Sequence, residues 1–505
     1  MSVQRRKARG KGGSLPSAPM RRPGAVDASG AGAVSSGVPA TSGHPLSDTR
    51  ENDRLYAYER RVKEAFDGIV PTLKKISALQ HEDDFERQAQ RIAQQQLGFE
   101  LPSSILADAW VDQLDMRRLF AWCVFSSYQR FCEDFFSGDP LGNAAAQDFE
   151  AFLQSCGFHI LDITPCADGR LAHVIRYVLR LPQRAVRRKS FAGAMFDIDD
   201  SIQKWVETEM LRYREGRPNL ADESTRYLKM VAYHYSSVDP EHEGCAAHGS
   251  DTDKAARAGL QQLTAFREAI ENTFCCGASI DLLLVGIDTD TDSMRLHVPD
   301  AEGRIQLDRY VDTLDVYKVT QYGSVGEGRE FIANQVRSCA PDVLDGMLAF
   351  CARLIENNLS QIDYVRRYFG VAYPDTGHAE RFIGAGVGFE EIQLRNLMYF
   401  AYLDTVEEAT QDLDVGIKIF SGLNVSHGLP VPVVVRFDYH GQVPGARDRA
   451  VAHCKRIADA MTARYRELAE RGLLHILQVI RDCRGDAGLE KLACTVNAGA
   501  GAEVH

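Results

Sequence analysis

A chain of 505 residues is too long for one ordinary core, and about three domains is the working expectation. Apolar residues at 45% and charged residues at 25% are ordinary globular values, and no run approaches the ~20 apolar residues of a membrane span. A formal net charge of −12 argues against nucleic acid as the main ligand, and the basic start lacks the apolar stretch of a secretory signal, so a cytosolic protein is expected. The 12 cysteines form no C-x-x-C pair, so disulfides are not expected and most should be small buried hydrophobes.

Residues 1–47 read as a separate unit. Met1 to Arg50 carries Arg5, Arg6, Lys7, Arg9, Lys11, Arg21, Arg22 and Arg50 against only Asp27 and Asp48, in a Gly, Ser, Ala and Pro background. Such a segment buries too little apolar area to offset its ordering entropy, so it is expected to be disordered. A basic tail on an acidic body invites an acidic partner.

From 48 to 144 the pattern is helical. Asp48 with Glu51 fits a capping box, and Tyr56, Val62, Phe66, Ile69 and Val70 recur at helical spacing. Ser103 and Ser104 are expected to cap a further helix through Ile105, Ala109 and Trp110, ahead of an aromatic-rich helix from Met116 to Phe136.

From 145 to 388 the period changes. Phe158–Thr164, His173–Leu181 and Val231–Tyr235 read as strands, and Ile202–Tyr213 as a helix capped by Asp199 and Asp200. A long helix, Asp253–Phe274, precedes the buried strand Ser279–Ile287 and its partner Met294–Val298. Strands alternating with helices predict an α/β fold with a mainly parallel sheet, added to the all-α N-terminal domain. From 389 to 505 the theme recurs: a helix near Glu390–Thr410, strands Val415–Phe420 and Val431–Tyr439, and a helix Ala446–Ala469. This half reads as a duplicate of the scaffold without its chemistry.

The chemistry concentrates at Thr164-Pro-Cys166-Ala-Asp168-Gly-Arg170, where a buried strand ends. If the chain stays extended there, Cys166, Asp168 and Arg170 project to one side, at the sheet edge where open α/β sheets place ligands. Downstream, Val231-Ala-Tyr-His234-Tyr ends a strand in a histidine, and a polar loop delivers Cys245. Zinc takes sulfur and imidazole ligands, and catalytic zinc uses three of them with one position open. His242 and His248, each at tight spacing from Cys245, compete as ligands; His234 is preferred because a strand fixes it.

Cys166-x-Asp168-x-Arg170 is similar to the metal-site motif of β-class carbonic anhydrases, which continue with a strand-end His and then a Cys. In most of that class the His and Cys lie two residues apart, whereas His234 and Cys245 are much further apart. That departure, the helical N-terminal domain and the metal-free second half together resemble the carboxysomal carbonic anhydrases, a divergent β-type branch once called the ε class. The resemblance covers about 50 to 505.

It implies Zn2+ held by Cys166, His234 and Cys245, with Asp168 and Arg170 as the catalytic dyad interconverting CO2 and bicarbonate. It also implies a carboxysome in the bacterial cytoplasm, and a homodimer or dimer-based assembly. Residues 1–47 would then attach the enzyme to Rubisco or the shell. His242, His248, His378 and Glu380 are relay candidates for the released proton. Tyr322–Arg329 and Gly384–Gly388, both glycine-rich, offer backbone donors to a regulatory sugar phosphate such as ribulose bisphosphate. The alternatives are another zinc hydrolase, or a non-catalytic scaffold with structural zinc; the Pro-Cys-x-x-Cys pair of a deaminase is missing.

Overall fold

The structure, a computed structural model, describes residues 43–109, 113–138, 146–182, 186–216, 225–274, 279–374, 380–389, 394–401, 410–483 and 488–497. Helices α1 (Thr49–Asp67), α2 (Ile69–Ser77), α3 (Phe85–Gln96), α4 (Ser103–Asp108) and α5 (Met116–Gly138) form the helical domain. Their apolar stripes, including Leu55, Val62, Ile76, Leu119 and Val124, close on one another. Asp48 caps α1, its carboxylate accepting from the Glu51 amide at 2.9 Å. Glu51 does not return the bond; it turns to Arg176 at 3.0 Å, so half of the expected box forms. Ser103 and Ser104 are first-turn residues of α4, which starts behind Pro102 with no side-chain cap.

Residues 43–47, grouped with the tail from composition, are tied down. His44 is buried, its amide donates to Asp363 Oδ1 at 3.2 Å and its Nε2 lies 3.0 Å from Thr320 Oγ1. The remainder of the tail, 1–42, and Trp110 lie outside the described residues.

The first α/β half comprises α6 (Ala146–Ser155), β1 (Ile160–Pro165), β2 (Arg187–Arg188), α7 (Ile198–Arg214), β3 (Arg226–Tyr235), α8 (Thr252–Phe274), β4 (Ser279–Asp288), β5 (Met294–His297) and β6 (Val311–Asp312). It ends in α9 (Thr313–Thr320), α10 (Val325–Cys339) and α11 (Asp345–Tyr368). The sheet order is β2-β1-β3-β4-β5-β6, parallel through β4 and antiparallel beyond it. β3 is buried almost from end to end, as a strand covered on both faces must be.

Two expectations fail here. His173–Leu181 is not a strand: Val174–Val178 winds into a π-helical turn, with Val174, Ile175, Tyr177 and Val178 all buried. A short apolar run buried all round carries no period to tell strand from helix. The cap of α7 is Asp197, which accepts from the Asp200 amide at 2.8 Å, so Asp199 and Asp200 are first-turn acids.

The second half runs β7 (Phe382–Val387), β8 (Met398–Ala401), α12 (Thr410–Leu423), β9 (Val431–Tyr439), α13 (Ala446–Arg464), α14 (Arg466–Glu470), β10 (Leu474–Asp482) and β11 (Glu490–Cys494). Its sheet order, β8-β7-β9-β10-β11, repeats β2-β1-β3-β4-β5 strand for strand, with the same parallel pairs and the same final antiparallel one. The C-terminal half is a duplicate of the first. Two element assignments within it are reversed: Met398–Ala401, expected in a helix, is a strand, and Val415–Phe420, expected as a strand, lies inside α12. Gly384 and Gly386 lie in β7 with their backbone in the sheet ladder, so they are no loop for phosphate.

Candidate metal centre

The site stands where β1 and β3 run out at their carboxyl ends. β1 gives way to Cys166, which keeps a single parallel bridge to Phe191. The chain then stops being extended, because Gly169–Leu171 closes a 3-10 turn capped by Asp168. Asp168 Oδ1 accepts from the Arg170 amide at 2.9 Å, so the side-by-side projection expected from an extended chain does not occur. Arg170 instead folds back onto Asp168, Nε to Oδ1 and Nη2 to Oδ2, each at 3.0 Å. A fork-to-fork pair fixes the carboxylate plane as well as its charge.

Cys166, His234 and Cys245 come together, one ligand atom from each lying within 4.8 Å of the others, and all three are buried. Among the described residues no other set of three His, Cys, Asp or Glu side chains converges this way. The two sulfurs are 4.0 Å apart. The Gly193 amide donates to Cys166 Sγ at 3.3 Å, from a left-handed position (φ 66) where a Cβ would meet His248 Nε2. Hydrogen bonding to Cys166 and to the amides of Ala247 and His248 holds the Cys245 thiol below its ordinary pKa. That same contact with Cys245, together with burial, pushes Cys166 up. His234 is fully buried, its Nδ1 without a hydrogen-bond partner and its Nε2 3.3 Å from Arg170 Nη2 and 3.5 Å from Asp168 Oδ2.

The competing histidines lie elsewhere. His242 is exposed and pairs with Asp239 at 2.8 Å, while His248 is buried with Nε2 3.1 Å from the Gly193 carbonyl. Of the relay candidates, His378 lies outside the described residues. Glu380 is buried against the dyad's backbone: a Cβ on Gly169 would lie 2.5 Å from Glu380 Oε1.

Partners that sequence reasoning missed surround Arg170. Nη1 donates to the Glu243 carbonyl at 2.6 Å and to Thr289 Oγ1 at 3.4 Å, and Nη2 to the Gly244 carbonyl at 3.4 Å. Thr289 lies in the run Asp288-Thr-Asp-Thr-Asp292-Ser, whose density of turn-forming acids was the available signal. Asp288 and Asp290 there hold the backbone amides of Ser237 and Val238 at 3.1 and 2.8 Å, anchoring the chain just after His234.

Family models of the carboxysome shell carbonic anhydrase match along this chain: the N-terminal model at residues 44–136, the catalytic-domain model at 148–378 and the C-terminal model at 379–496. The chain belongs to the carboxysome shell carbonic anhydrase family. A relative of that name from Parasynechococcus marenigrum (strain WH8102) is 56% identical over 458 residues, 90% of this chain and 79% of its own. One from Prochlorococcus marinus (strain MIT 9313) is 58% identical over 444 residues, 87% of this chain and 86% of its own. One from Halothiobacillus neapolitanus (strain ATCC 23641 / c2) is 44% identical over 446 residues, 86% of this chain and 87% of its own. A carboxysome shell carbonic anhydrase is an enzyme, and the sulfur–imidazole cluster lies in the part of the chain that the catalytic-domain model matches.

Proposed function

We propose that Cys166, His234 and Cys245 hold a zinc ion and that Asp168 and Arg170 run CO2 hydration beside it. What supports this is the convergence of two thiols and one imidazole at a strand-end edge. The donor set fits zinc chemically, since thiolate and imidazole are its usual ligands and the two sulfurs, 4.0 Å apart, stand with the imidazole within 4.8 Å of one another. Zinc held by three protein ligands supplies a Lewis acid that makes water nucleophilic near neutral pH.

The chain's own residues then orient the reaction. The Asp168 carboxylate accepts a hydrogen bond from the attacking water and turns its lone pair towards CO2. Arg170, through both bonds to Asp168, keeps that carboxylate from rotating into the cluster and becoming a ligand. The turns of His242 to Asp239 and of His248 to the Gly193 carbonyl favour three protein ligands over the closed four of a structural site, against the scaffold reading. Metal analysis with stopped-flow CO2 hydration tests the proposal: one zinc per chain and inhibitor-sensitive activity are expected, and a zinc-free active protein would refute it.

The relatives' names place them at the carboxysome shell, and we extend that location to this chain, inside the bacterial cytoplasm, supplying CO2 to Rubisco. The basic tail, expected over residues 1–47, is the proposed attachment to Rubisco or the shell; removal of residues 1–42, which keeps the docked His44 segment, should leave activity intact and abolish co-sedimentation. The proposed assembly is a homodimer or a multiple of it, which light scattering decides. Control by ribulose bisphosphate is proposed without a site: Gly323 and Gly328 donate to the Thr320 and Ser324 carbonyls around the start of α10. A flat activity curve against that ligand would remove it. We divide the chain into the tail, a helical domain (48–144), a catalytic domain (145–388) and its degenerate copy (389–505), and move the last of these boundaries to before β7, because β7 (Phe382–Val387) pairs with β8 and β9 of the copy's sheet.

A further inference from the structure

Asp292 lies in the β4–β5 turn, fully buried and in left-handed backbone at φ 54. A non-glycine residue persists in that conformation when its surroundings over-determine it, and here they do. Its Oδ2 accepts from Tyr373 Oη at 2.5 Å and from Gln361 Nε2 at 2.7 Å, and lies 2.7 Å from His173 Nε2. Its Oδ1 lies 3.5 Å from Nη1 of Arg395, which belongs to the second α/β half. Arg395 is itself buried, its guanidinium 4.2 Å from the centroid of the Tyr373 ring.

These contacts converge on the segment that carries Asp168 and Arg170. His173 ends that segment, just before the π-helical turn. Thr289, in the same turn as Asp292, accepts from Arg170 Nη1 at 3.4 Å and donates to the Tyr235 carbonyl at 3.1 Å, next to His234. Asn396, adjacent to Arg395 and also left-handed (φ 57), donates its amide at 2.9 Å to the carbonyl of Gly169, between the two dyad residues. The loop before β8 thus grips the dyad's backbone directly and its flanks through Asp292.

We propose that Arg395, acting through Asp292, is a positioning residue for the Asp168–Arg170 pair, so that the half with no metal cluster among its described residues completes the reacting geometry of the other. The proposal rests on the reading of Asp168 and Arg170 given above. A group displaced by about an ångström loses up to ~100-fold in rate, so a remote clamp of this kind registers in kcat.

The test uses the full-length, zinc-loaded protein. Arg395→Met is expected to fold, to keep zinc at the wild-type ratio and to lose about tenfold or more in kcat, with KM within about twofold. Cobalt(II)-loaded R395M is expected to show an altered visible spectrum as Asp168 gains freedom to approach the metal, and Arg395→Lys to recover part of the lost kcat. Wild-type kcat with a wild-type cobalt spectrum would overturn the proposal, as would an activity loss that only follows zinc loss. If R395M does not fold, the D292N/R395M double variant, which removes both charges, is read in the same way; failure of both to fold makes the role structural and ends the proposal. Asp168→Asn, run in parallel, separates the two readings. An active D168N sinks the dyad, whereas an inactive D168N beside a wild-type-like R395M sinks only the clamp.

Discussion

Arg170 Nη2 lies 3.0 Å from Asp168 Oδ2 while Nη1 of the same guanidinium lies 2.6 Å from the Glu243 carbonyl. One side chain therefore ties the strand-end carboxylate to the loop that delivers Cys245. A point charge cannot hold both geometries, because only a planar fork meets two carboxylate oxygens and a carbonyl at once. Arg170→Lys is expected to fold and retain metal but to lose roughly 100-fold in kcat, within the range for removing one preorganised electrostatic contact. Asp168→Ala and Arg170→Ala should likewise keep metal and lose most CO2 hydration. Stopped-flow hydration beside a zinc-to-protein ratio checks each.

Metal retention divides the histidines. His234→Ala and Cys166→Ser are expected to lose zinc, and with it the stabilisation that a ligand binding only the folded state provides. His242→Ala should keep both, since His242 is exposed and held by Asp239. The measurement is zinc content after gel filtration together with Tm before and after chelation. A zinc-loaded H234A beside a zinc-free H242A would reverse the ligand assignment.

Much of this was legible in the residues because length and bounding turn residues mark a strand even when both its faces are buried, and a one-sided apolar stripe marks a helix such as α8. β1, β3, β4, β9 and α8 were readable as apolar runs of the right length bounded by turn residues. What failed were segments buried on every side, such as Val174–Val178, and the helix α12, whose Val415–Phe420 stretch mimics a strand. Cys166, Asp168 and Arg170 stood out because they are close in sequence. Thr289, Asp292 and Arg395 did not, because the contacts that bring them to the dyad are set by the fold and leave no spacing to read.

Acid should weaken the fold through two buried imidazoles. Burial pushes His297 and His475 down to about 4, against about 6.5 in an unfolded chain. Between those values the unfolded chain binds protons that the folded one refuses. Their contribution is therefore complete above about pH 6.5, falls away as pH drops to about 4, and does not change below that. Each is worth on the order of 3 kcal/mol across the window. Urea midpoints at pH 7.5, 6 and 5 (values chosen to span roughly this window) should fall steadily in the wild type. His297→Asn should give a shallower fall, and because the proposed metal ligands are common to both proteins, the difference isolates His297.

The second half carries an ion cluster where the first carries its candidate metal ligands. Asp438 stands next to last in β9, as His234 does in β3, and the sequence has no cysteine between β7 and β8 or between β9 and α13. At that position there is a buried ion cluster: Arg436 grips Asp438 through Nε at 2.6 Å and Nη2 at 2.9 Å, and Arg481 Nη1 lies 3.7 Å away. Tyr128 Oη accepts from Arg436 Nη1 at 3.0 Å, and Arg481 stacks on the Phe136 ring, so the cluster also pins the helix α5. Breaking a buried pair by deleting one partner leaves an uncompensated charge and costs about 3–5 kcal/mol. Asp438→Ala is therefore expected to lower Tm, because Arg436 and Arg481 both lose its carboxylate in a buried site. Zinc per folded chain should not change, since the cluster holds no metal ligand set. A D438A protein with wild-type Tm, or with reduced zinc per folded chain, would contradict this account of the duplicated half.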